Sequence, residues 1–346
     1  MTVVKADAYG HGLKQIAALL MQSGTDVFGV ANLTEAESIR SVGRGWPILM
    51  LGACLPEEVE RAVMDDVKPT ISSSAEVKLF SLAATRLRKT VRVHLKVNTG
   101  MGRLGAEPAE VRALGREILA APGIQWEGIY THYAAVEDDV VFSKVQAQSF
   151  ARTCRELQAE GMLPPVRHCN NSGGILYRSG TQLEWVRPGL LVYGIVPRGK
   201  RRVPNLLNHV RPALSWKCRV SFVKTIAKGY ALSYGRTFTA PTRMSVATLT
   251  AGYGDGYLRA GSQRAFVLIG GRRCRVLGRI TMDQMLVDVS KVRHVQVGDE
   301  AVLIGEQGSE RITAAELAKW FGTIPWEVLT AITYRVPRVY RGSQAA

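Results

Sequence analysis

The sequence contains no long apolar run and few cysteines. No apolar stretch reaches the roughly 18 residues that a membrane span needs, so we expect no membrane partner. Residues 1–5 lack the basic, apolar and small-residue regions of a signal peptide, which predicts a cytoplasmic protein. The five cysteines are widely scattered and include no CxxC pair. This spacing argues against a disulfide framework and against a zinc site.

Acidic residues are also scarce relative to basic ones. The 45 lysines and arginines outnumber the 29 aspartates and glutamates, which gives a formal net charge of +16. Clustered basic residues can bind nucleic acids. Here they are spread along the chain, and the densest run, residues 198–202, belongs to no recognised nucleic-acid-binding module. We therefore expect a basic surface that steers small anionic ligands, and no nucleic-acid partner.

The first two hundred residues alternate between short β-branched or apolar runs and stretches with helical spacing. Eight strand–helix alternations predict parallel strands with helical crossovers, and eight is the number in a (β/α)8 TIM-like barrel. The seventh crossover is short and glycine-rich, so an open doubly wound sheet is the alternative. The predicted strands are residues 2–4, 27–30, 48–51, 67–71, 91–97, 124–132, 166–170 and 183–186.

Beyond Pro204 the pattern changes to short strands separated by glycine-rich breaks, with one good helix at 314–321. Such a pattern is typical of a mainly-β domain. We place the domain boundary between residues 203 and 204, which gives a barrel domain of 1–203 and a β domain of 204–346. The predicted strands of the second domain are residues 214–226, 244–250, 265–268, 274–277, 285–289 and 300–304.

Lys5 ends the first predicted strand, at the barrel face where such folds build their sites. A lysine shielded by barrel walls has a lowered pKa, which favours Schiff-base chemistry. Lys5 lies in the segment VKADAYGHG, residues 4–12. This segment closely resembles the attachment signature for pyridoxal phosphate (PLP) in the alanine racemase family. Matching motifs continue in order to Arg338, so the resemblance covers nearly the whole chain and both domains.

The resemblance implies that Lys5 carries PLP and serves as one of two catalytic bases. Racemisation needs a second acid/base on the opposite face of the α-carbon, because the proton must return from the other side. In the family this group is a tyrosine of the partner subunit, and the matching residue here is Tyr234, in LSYGRT at 232–237. A homodimer is therefore expected, with Tyr234 and Met282 acting in trans.

The other cofactor contacts also follow from the resemblance. His132, at the end of the sixth strand, would lie against the PLP ring, and Arg187, after the eighth strand, would lie beside the pyridine nitrogen. A permanent cation at that nitrogen disfavours its protonation and weakens the ring as an electron sink. Phosphate contacts are expected from Tyr9, Ser172, Gly189, Leu190 and Tyr334.

Substrate binding is expected at Arg103, which suits a carboxylate, and at Met282. Lys96 matches a family lysine that is often carbamylated and then orients the arginine. Asn98 stands where many members have an aspartate, which changes the local charge around Lys96. The remaining expected site residues play supporting parts; they are Asn171, Tyr253 and Asp283.

The expected function is interconversion of L- and D-alanine by a two-base PLP mechanism, which supplies D-alanine for peptidoglycan. The alternatives are a racemase of serine or of a broader range of amino acids, a decarboxylase of basic amino acids, and a non-catalytic PLP-binding barrel. Arg187 argues against the decarboxylase, whose carbanion benefits from a protonated ring. The second domain, with Tyr234 and Met282, argues against the non-catalytic protein.

Only four residues precede Lys5, whereas family members usually carry a further helix and most of the first strand before this lysine. A strand this short is at the lower limit of β structure. The sequence therefore suggests a barrel truncated at its N-terminus. We expect it to be less stable than a form extended by the missing elements.

Overall fold

A computed structural model describes residues 1–177, 183–202 and 210–341. The chain forms two compact units. The first contains Met1–Ala8 and Gly12–Arg211, and the second contains Tyr9–His11 and Pro212–Ala346. The boundary that we predicted between residues 203 and 204 lies outside the described residues. Among the described residues, no helix combines the length and apolar character needed to cross a membrane.

Eight parallel strands form the first unit, and each pairs with the next along the chain. Parallel strands need long crossovers, and helices supply most of them here. The strands are β1 (Thr2–Val3), β2 (Phe28–Val30), β3 (Ile48–Met50), β4 (Val67–Ile71), β5 (Val91–Lys96), β6 (Ile124–Tyr130), β7 (Val166–Asn171) and β8 (Trp185–Arg187).

Two hydrogen bonds join the first strand to the last. The Met1 nitrogen donates to the Val186 carbonyl at 3.1 Å, and the Val3 nitrogen donates to the Pro188 carbonyl at 2.9 Å. Donors two residues apart that reach acceptors two residues apart are the pattern of a parallel pair. The predicted TIM-like barrel is therefore confirmed, and the open doubly wound sheet is wrong.

Several helices of the first unit begin at a side chain that accepts a hydrogen bond from an exposed amide. The Asn32 side chain accepts from the Glu35 nitrogen at 3.0 Å, and the Ser73 hydroxyl accepts from the Glu76 nitrogen at 3.4 Å. Both are N-caps, which satisfy backbone donors that the helix leaves without partners. The helices are α1 (Lys5–Gly10), whose last two residues belong to the second unit, α2 (Leu13–Gln22), α3 (Leu33–Val42), α4 (Val59–Met64), α5 (Ser74–Leu87), α6 (Val111–Ala120), α7 (Val140–Ala159) and α8 (Ser172–Tyr177).

The second unit is mainly antiparallel β structure, as predicted. Its strands are β9 (Trp216–Ile226), β10 (Ala231–Leu232), β11 (Phe238–Thr239), β12 (Met244–Leu249), β13 (Phe266–Ile269), β14 (Arg272–Leu277), β15 (Met285–Asp288), β16 (Glu300–Gln307) and β17 (Glu310–Ile312). The larger sheet has the order β13-β14-β15-β12-β9-β16-β17, and β13 also pairs with β16, so six strands form a closed ring. Two helices follow, one more than the sequence predicted: α9 (Ala314–Phe321) and α10 (Pro325–Thr330).

Candidate active site

The backbone turns to the left immediately after Lys5. Residues 6–9 are not glycine, yet each has a φ between 52° and 54°. The left-handed conformation costs roughly 1–2 kcal/mol for each such residue. Glu35 holds the start of this turn, because one carboxylate oxygen accepts from the Ala6 nitrogen and the other from the Ala31 nitrogen, both at 2.7 Å. The Asp7 carboxylate accepts from the Leu13 nitrogen at 2.7 Å. Hydrogen bonds at Ala6 and at Asp7 thus hold the strained turn in place.

Positive charge is concentrated at the carboxyl end of the barrel. Burial and then the charge of Arg103 lower the pKa of Lys5, while Glu35 raises it by a smaller amount. Burial lowers the pKa of Lys96 to about 7, with further contributions from Arg103, Arg187 and Lys5. The charges of Arg103, Arg187 and Lys5 therefore all act on Lys96. A site with this charge favours an anionic ligand.

Arg187 is almost fully buried and well anchored on one side of its guanidinium. Its Nη2 donates to the carbonyl oxygens of Thr131 at 2.7 Å and Cys169 at 3.0 Å. Its Nη1 lies 2.7 Å from His168 Nδ1. An arginine has five N–H donors, and Nε and the second Nη1 hydrogen have no hydrogen-bond partner among the described residues. Donors without a protein partner suit an acceptor atom supplied by a ligand.

Arg187 and Lys5 lie at the same end of neighbouring strands. Lys5 follows β1 and Arg187 ends β8, and the Val3–Pro188 hydrogen bond joins these two strands. The carboxyl ends of parallel strands meet at one face of a barrel, where active sites are built. The structure therefore brings together the predicted attachment lysine and the predicted ring-nitrogen arginine.

Tyr130 forms the floor beneath these cations. The Arg187 guanidinium carbon lies 5.1 Å from the Tyr130 ring centroid, and Lys96 Nζ lies 5.6 Å from it. The ring stacks on His168, with centroids 4.6 Å apart and planes 6° apart. Its hydroxyl is 2.8 Å from the Thr70 hydroxyl. Cation–π attraction to one aromatic ring therefore helps to fix both cations.

His132 lies between Arg187 and Asn171. Its Nδ1 is 3.5 Å from Arg187 Nη2, and its Nε2 is 3.4 Å from Asn171 Nδ2. Burial, and then the charges of Arg187 and Lys96, lower the pKa of His132 well below its usual value. The imidazole is therefore neutral at physiological pH. Asn171 is itself oriented by the Gly174 nitrogen, which donates to its side-chain oxygen at 2.9 Å.

Ser172, Gly189 and Leu190 form a buried group of small and backbone donors. The Ser172 hydroxyl oxygen accepts from the Gly189 nitrogen at 2.9 Å and from the Leu191 nitrogen at 3.4 Å. A hydroxyl that accepts twice still has its own proton to donate. The Ser172 hydroxyl thus contacts the backbone nitrogens on both sides of Leu190, so three of the five predicted phosphate contacts lie in one place.

Arg103 is exposed on the loop that follows β5, and Asn98 organises this loop. The Asn98 side-chain oxygen accepts from the nitrogens of Gly100 at 3.2 Å and Gly102 at 2.9 Å. Its amide nitrogen donates to the Glu107 carboxylate at 2.6 Å. A carboxylate at position 98 could not donate this last bond. Glu107 therefore provides a physical reason for an asparagine at this position.

Tyr234 belongs to the second unit and is 71% exposed. It lies between Ser233 and Gly235, which have φ values of 64° and 70°. The Ser233 hydroxyl donates to the Arg279 carbonyl at 2.6 Å, which anchors the segment. Tyr234 borders a cavity of about 490 Å³ that is also lined by Thr248, Arg279, Thr281, Gln284 and Met285, among others.

Three more predicted residues lie close together in the second unit. The nitrogens of Tyr253 and Gly254 donate to the carbonyls of Thr281 and Met282, at 3.0 and 2.8 Å. Asp283 pairs with Arg335 at 2.7 Å. Tyr334 is almost fully exposed, whereas Tyr9 is buried within the same unit.

Known protein families match both units of this chain. Family models described as the alanine racemase N-terminal and C-terminal domains match residues 1–197 and 213–340. The chain belongs to the alanine racemase family. It is thus a member of a family of isomerases.

Relatives and solved structures in the alanine racemase family match nearly the full chain. An alanine racemase of Carboxydothermus hydrogenoformans is 42% identical over 341 residues, which cover 98% of this chain and 92% of the relative. One of Symbiobacterium thermophilum is also 42% identical, covering 100% of this chain and 91% of the relative. The structure of the alanine racemase from a D-cycloserine-producing Streptomyces lavendulae is 33% identical with a TM-score of 0.92, covering 99% of this chain and 90% of that one.

Sequence reasoning missed several polar residues of this alanine racemase family member that contact the predicted ones directly or through intervening residues. They are Glu35, Lys68, His94, Glu107, Glu127, Tyr130 and His168. The side-chain period of a strand could have found some of them. His94 lies two residues before Lys96 on β5, and therefore faces the same interior. Polar residues at interior positions of a barrel indicate a bonded network.

Proposed function

We propose that this protein interconverts L- and D-alanine, with PLP attached to Lys5. The observation that carries this proposal is the placement of Lys5 and Arg187 at the carboxyl ends of adjoining strands, within a chain of the alanine racemase family. The curated relatives it matches are alanine racemases. D-alanine produced in this way would supply peptidoglycan, and the expected site of action is the cytoplasm.

The residues present fit PLP. The phosphate carries negative charge, which suits the cationic face of the barrel and the donor group of Ser172, Gly189 and Leu190. The pyridine nitrogen is an acceptor, which suits the N–H groups of Arg187 that have no partner among the described residues. A neutral His132 can lie flat against the ring without adding charge. Tyr9 and Tyr334 are proposed as the remaining phosphate ligands.

Lys5 is proposed to move the proton on one face of the substrate α-carbon. Bound PLP withdraws electrons from that carbon and so makes its proton removable. An amine accepts a proton only when it is neutral, and its lowered pKa increases the neutral fraction of Lys5. The strained turn held by Glu35 fixes where Lys5 leaves the strand.

Tyr234 is proposed to move the proton on the opposite face, in the site of a second copy. Its high exposure supports this arrangement, because a catalytic tyrosine needs a partner surface that excludes water. Met282 is half exposed in the same unit and is proposed to accompany it into the partner's site. Arg103, with Met282, would bind the substrate carboxylate.

Mixed dimers test this proposal. One parent carries Lys5→Ala and the other carries Tyr234→Phe, and each is expected to be inactive alone. After subunit exchange, a hybrid contains one site with both residues intact, so racemisation of alanine should return. Loss of optical rotation without CO₂ release measures the reaction and excludes a decarboxylase. Proven exchange without recovered activity would contradict the trans arrangement. Parallel assays with serine and lysine test the choice of alanine.

A further inference from the structure

A chain of polar side chains crosses the barrel interior beneath Arg187. Arg187 Nη1 is 2.7 Å from His168 Nδ1, and His168 Nε2 is 2.9 Å from His94 Nδ1. His94 Nε2 is 2.9 Å from a Glu127 carboxylate oxygen, and Lys68 Nζ is 2.6 Å from the same oxygen. Both imidazoles are fully buried. The chain therefore connects five side chains, and only its Glu127 end is partly open to solvent.

The donor direction along this chain is fixed by chemistry. Arginine can only donate, so His168 Nδ1 must accept and its proton must be on Nε2. His94 Nδ1 then accepts, so its proton is on Nε2 and points to Glu127. Burial lowers the pKa of both histidines, which keeps them neutral. Burial alone would raise the pKa of Glu127, but the bonds from His94 and Lys68 lower it to about 2.

The backbone is shaped to admit this chain. On β5 and β6, Val93 pairs with Trp126 and His94 pairs with Gly128, so Glu127 is an extra residue. Such a β-bulge redirects a side chain, and here it places Glu127 beside His94. A Cβ on Gly128 would overlap the His94 ring. The φ of Gly128 is not in the left-handed region, so the glycine is required for space and not for its backbone freedom.

We propose that Glu127 is a positioning residue that acts through His94 and His168 to hold Arg187 toward the cofactor ring nitrogen. This inference rests on the proposed function, in which Arg187 meets that nitrogen. Lys68 completes the arrangement, because its charge lets the Glu127 carboxylate stay ionised inside the barrel. Glu127, at the far end of this hydrogen-bonded series of side chains, thereby sets the position of the Arg187 guanidinium.

Glu127→Gln should reverse the donor and acceptor roles along this series of hydrogen bonds. An amide has one oxygen, whereas Lys68 Nζ donates to both Glu127 oxygens, at 2.8 Å to one and at 2.6 Å to the one that it shares with His94. We expect the amide oxygen to take the position that contacts Lys68 alone. The amide NH₂ then faces His94 Nε2, so the proton of His94 moves to Nδ1. His168 must accept at Nε2, and its own proton then points at Arg187. Two donors meet there, and Arg187 is pushed out of position.

The first test needs no cofactor. In PLP-free protein labelled with ¹⁵N-histidine, NMR should find His94 and His168 protonated on Nε2. Glu127→Gln should move both protons to Nδ1. Glu184→Gln is the matched control, since Glu184 pairs with Arg167 at 2.6 Å on the surface, and it should change neither tautomer. Wild-type tautomers in Glu127→Gln would overturn the proposal.

The second test uses the PLP-loaded enzyme. Loss of one well-placed hydrogen bond corresponds to roughly a tenfold change. We therefore expect kcat for alanine to fall about tenfold or more in Glu127→Gln, with KM changed by less than about threefold. If the tautomers of His94 and His168 changed while kcat did not, the positioning role would be overturned. An inactive wild type would instead count against the proposed function, while the tautomer result would still stand.

Gly128→Ala provides a second variant if Glu127→Gln does not fold. It removes no charge and no donor, but displaces the His94 ring. The same fall in kcat, with the NMR contact between His94 and His168 lost, would support the proposal. Retained kcat after loss of that contact would contradict it.

Discussion

Glu35→Gln tests whether the strained turn after Lys5 is held by a single carboxylate. Glu35 accepts from the Ala6 and Ala31 nitrogens at 2.7 Å through different oxygens. Glutamine keeps one oxygen, and its NH₂ group would face the other backbone N–H. One of the two contacts then becomes a meeting of two donors. The variant preserves the size of the side chain, so any effect comes from this change and from the lost charge.

The expected magnitude follows from the bonds and the strain. A hydrogen bond to a charged group contributes about 1.5–3 kcal/mol, and Ala6 is exposed, so water replaces part of this. We expect a loss of about 1–2 kcal/mol in the free energy of unfolding. The four left-handed residues store roughly 4–8 kcal/mol, so part of the turn should relax once its restraint is lost. Lys5 would then be misplaced, and PLP affinity should fall by about 5–30-fold.

Urea unfolding and PLP titration measure these two effects. Glu37→Gln is the matched control, because Glu37 lies on the same helix and its carboxylate makes a partly exposed contact with Arg61 at 3.3 Å. Such surface pairs contribute about 0–1 kcal/mol. If Glu35→Gln and Glu37→Gln agreed within about 0.5 kcal/mol and bound PLP equally well, Glu35 would not hold the turn.

Three further outcomes are expected. The pKa of Lys96 is about 7 in the folded protein against an ordinary 10.5, so the unfolded state binds more protons between these pH values and the free energy of unfolding should rise with pH there. We therefore expect Lys96→Met to be more stable than the wild type at pH 7, and this difference in the free energy of unfolding should shrink as the pH rises. Urea unfolding without CO₂ and PLP measures it, and a difference that stays constant with pH would contradict this expectation. Asn98→Asp should destabilise the protein by about 1 kcal/mol, because two carboxylates then meet where the Asn98 amide now donates to Glu107 at 2.6 Å, and adding Glu107→Gln should restore the unfolding midpoint. Tyr234→Phe should slow α-deuterium wash-out from L-alanine much more than from D-alanine in single turnovers, whereas equal slowing would contradict the two-base assignment.

The reduced stability expected from the short first strand stays a prediction. β1 has only two residues, yet hydrogen bonds join this segment to the neighbouring strand on each side. The nitrogens of Thr2 and Val4 donate to Val27 and Gly29 on one side, and Met1 and Val3 donate to Val186 and Pro188 on the other. Comparing the melting temperature of this chain with that of a form extended upstream would measure any difference.

The sequence alone determined the elements and the main candidates of the site. Strand and helix periods are local, so the eight strands of the barrel and the β-rich second half could be predicted to within a few residues. The motif around Lys5 and the ordered matches up to Arg338 identified the family and most of the expected site residues. These signals need only residue types in a fixed order.

Only the tertiary structure decided how the barrel closes and what supports the site. The bonds of Val3 to Pro188 and of Glu35 to Ala6 join residues far apart in the chain, and no local pattern encodes them. The same holds for the chain from Arg187 to Glu127, which depends on one bulge in β6. A bulge moves every later side chain of the strand to the opposite face, and the two-residue periodicity of strands does not show where a bulge occurs. Buried polar groups must find partners in three dimensions, and those partners become visible only once the strands are assembled.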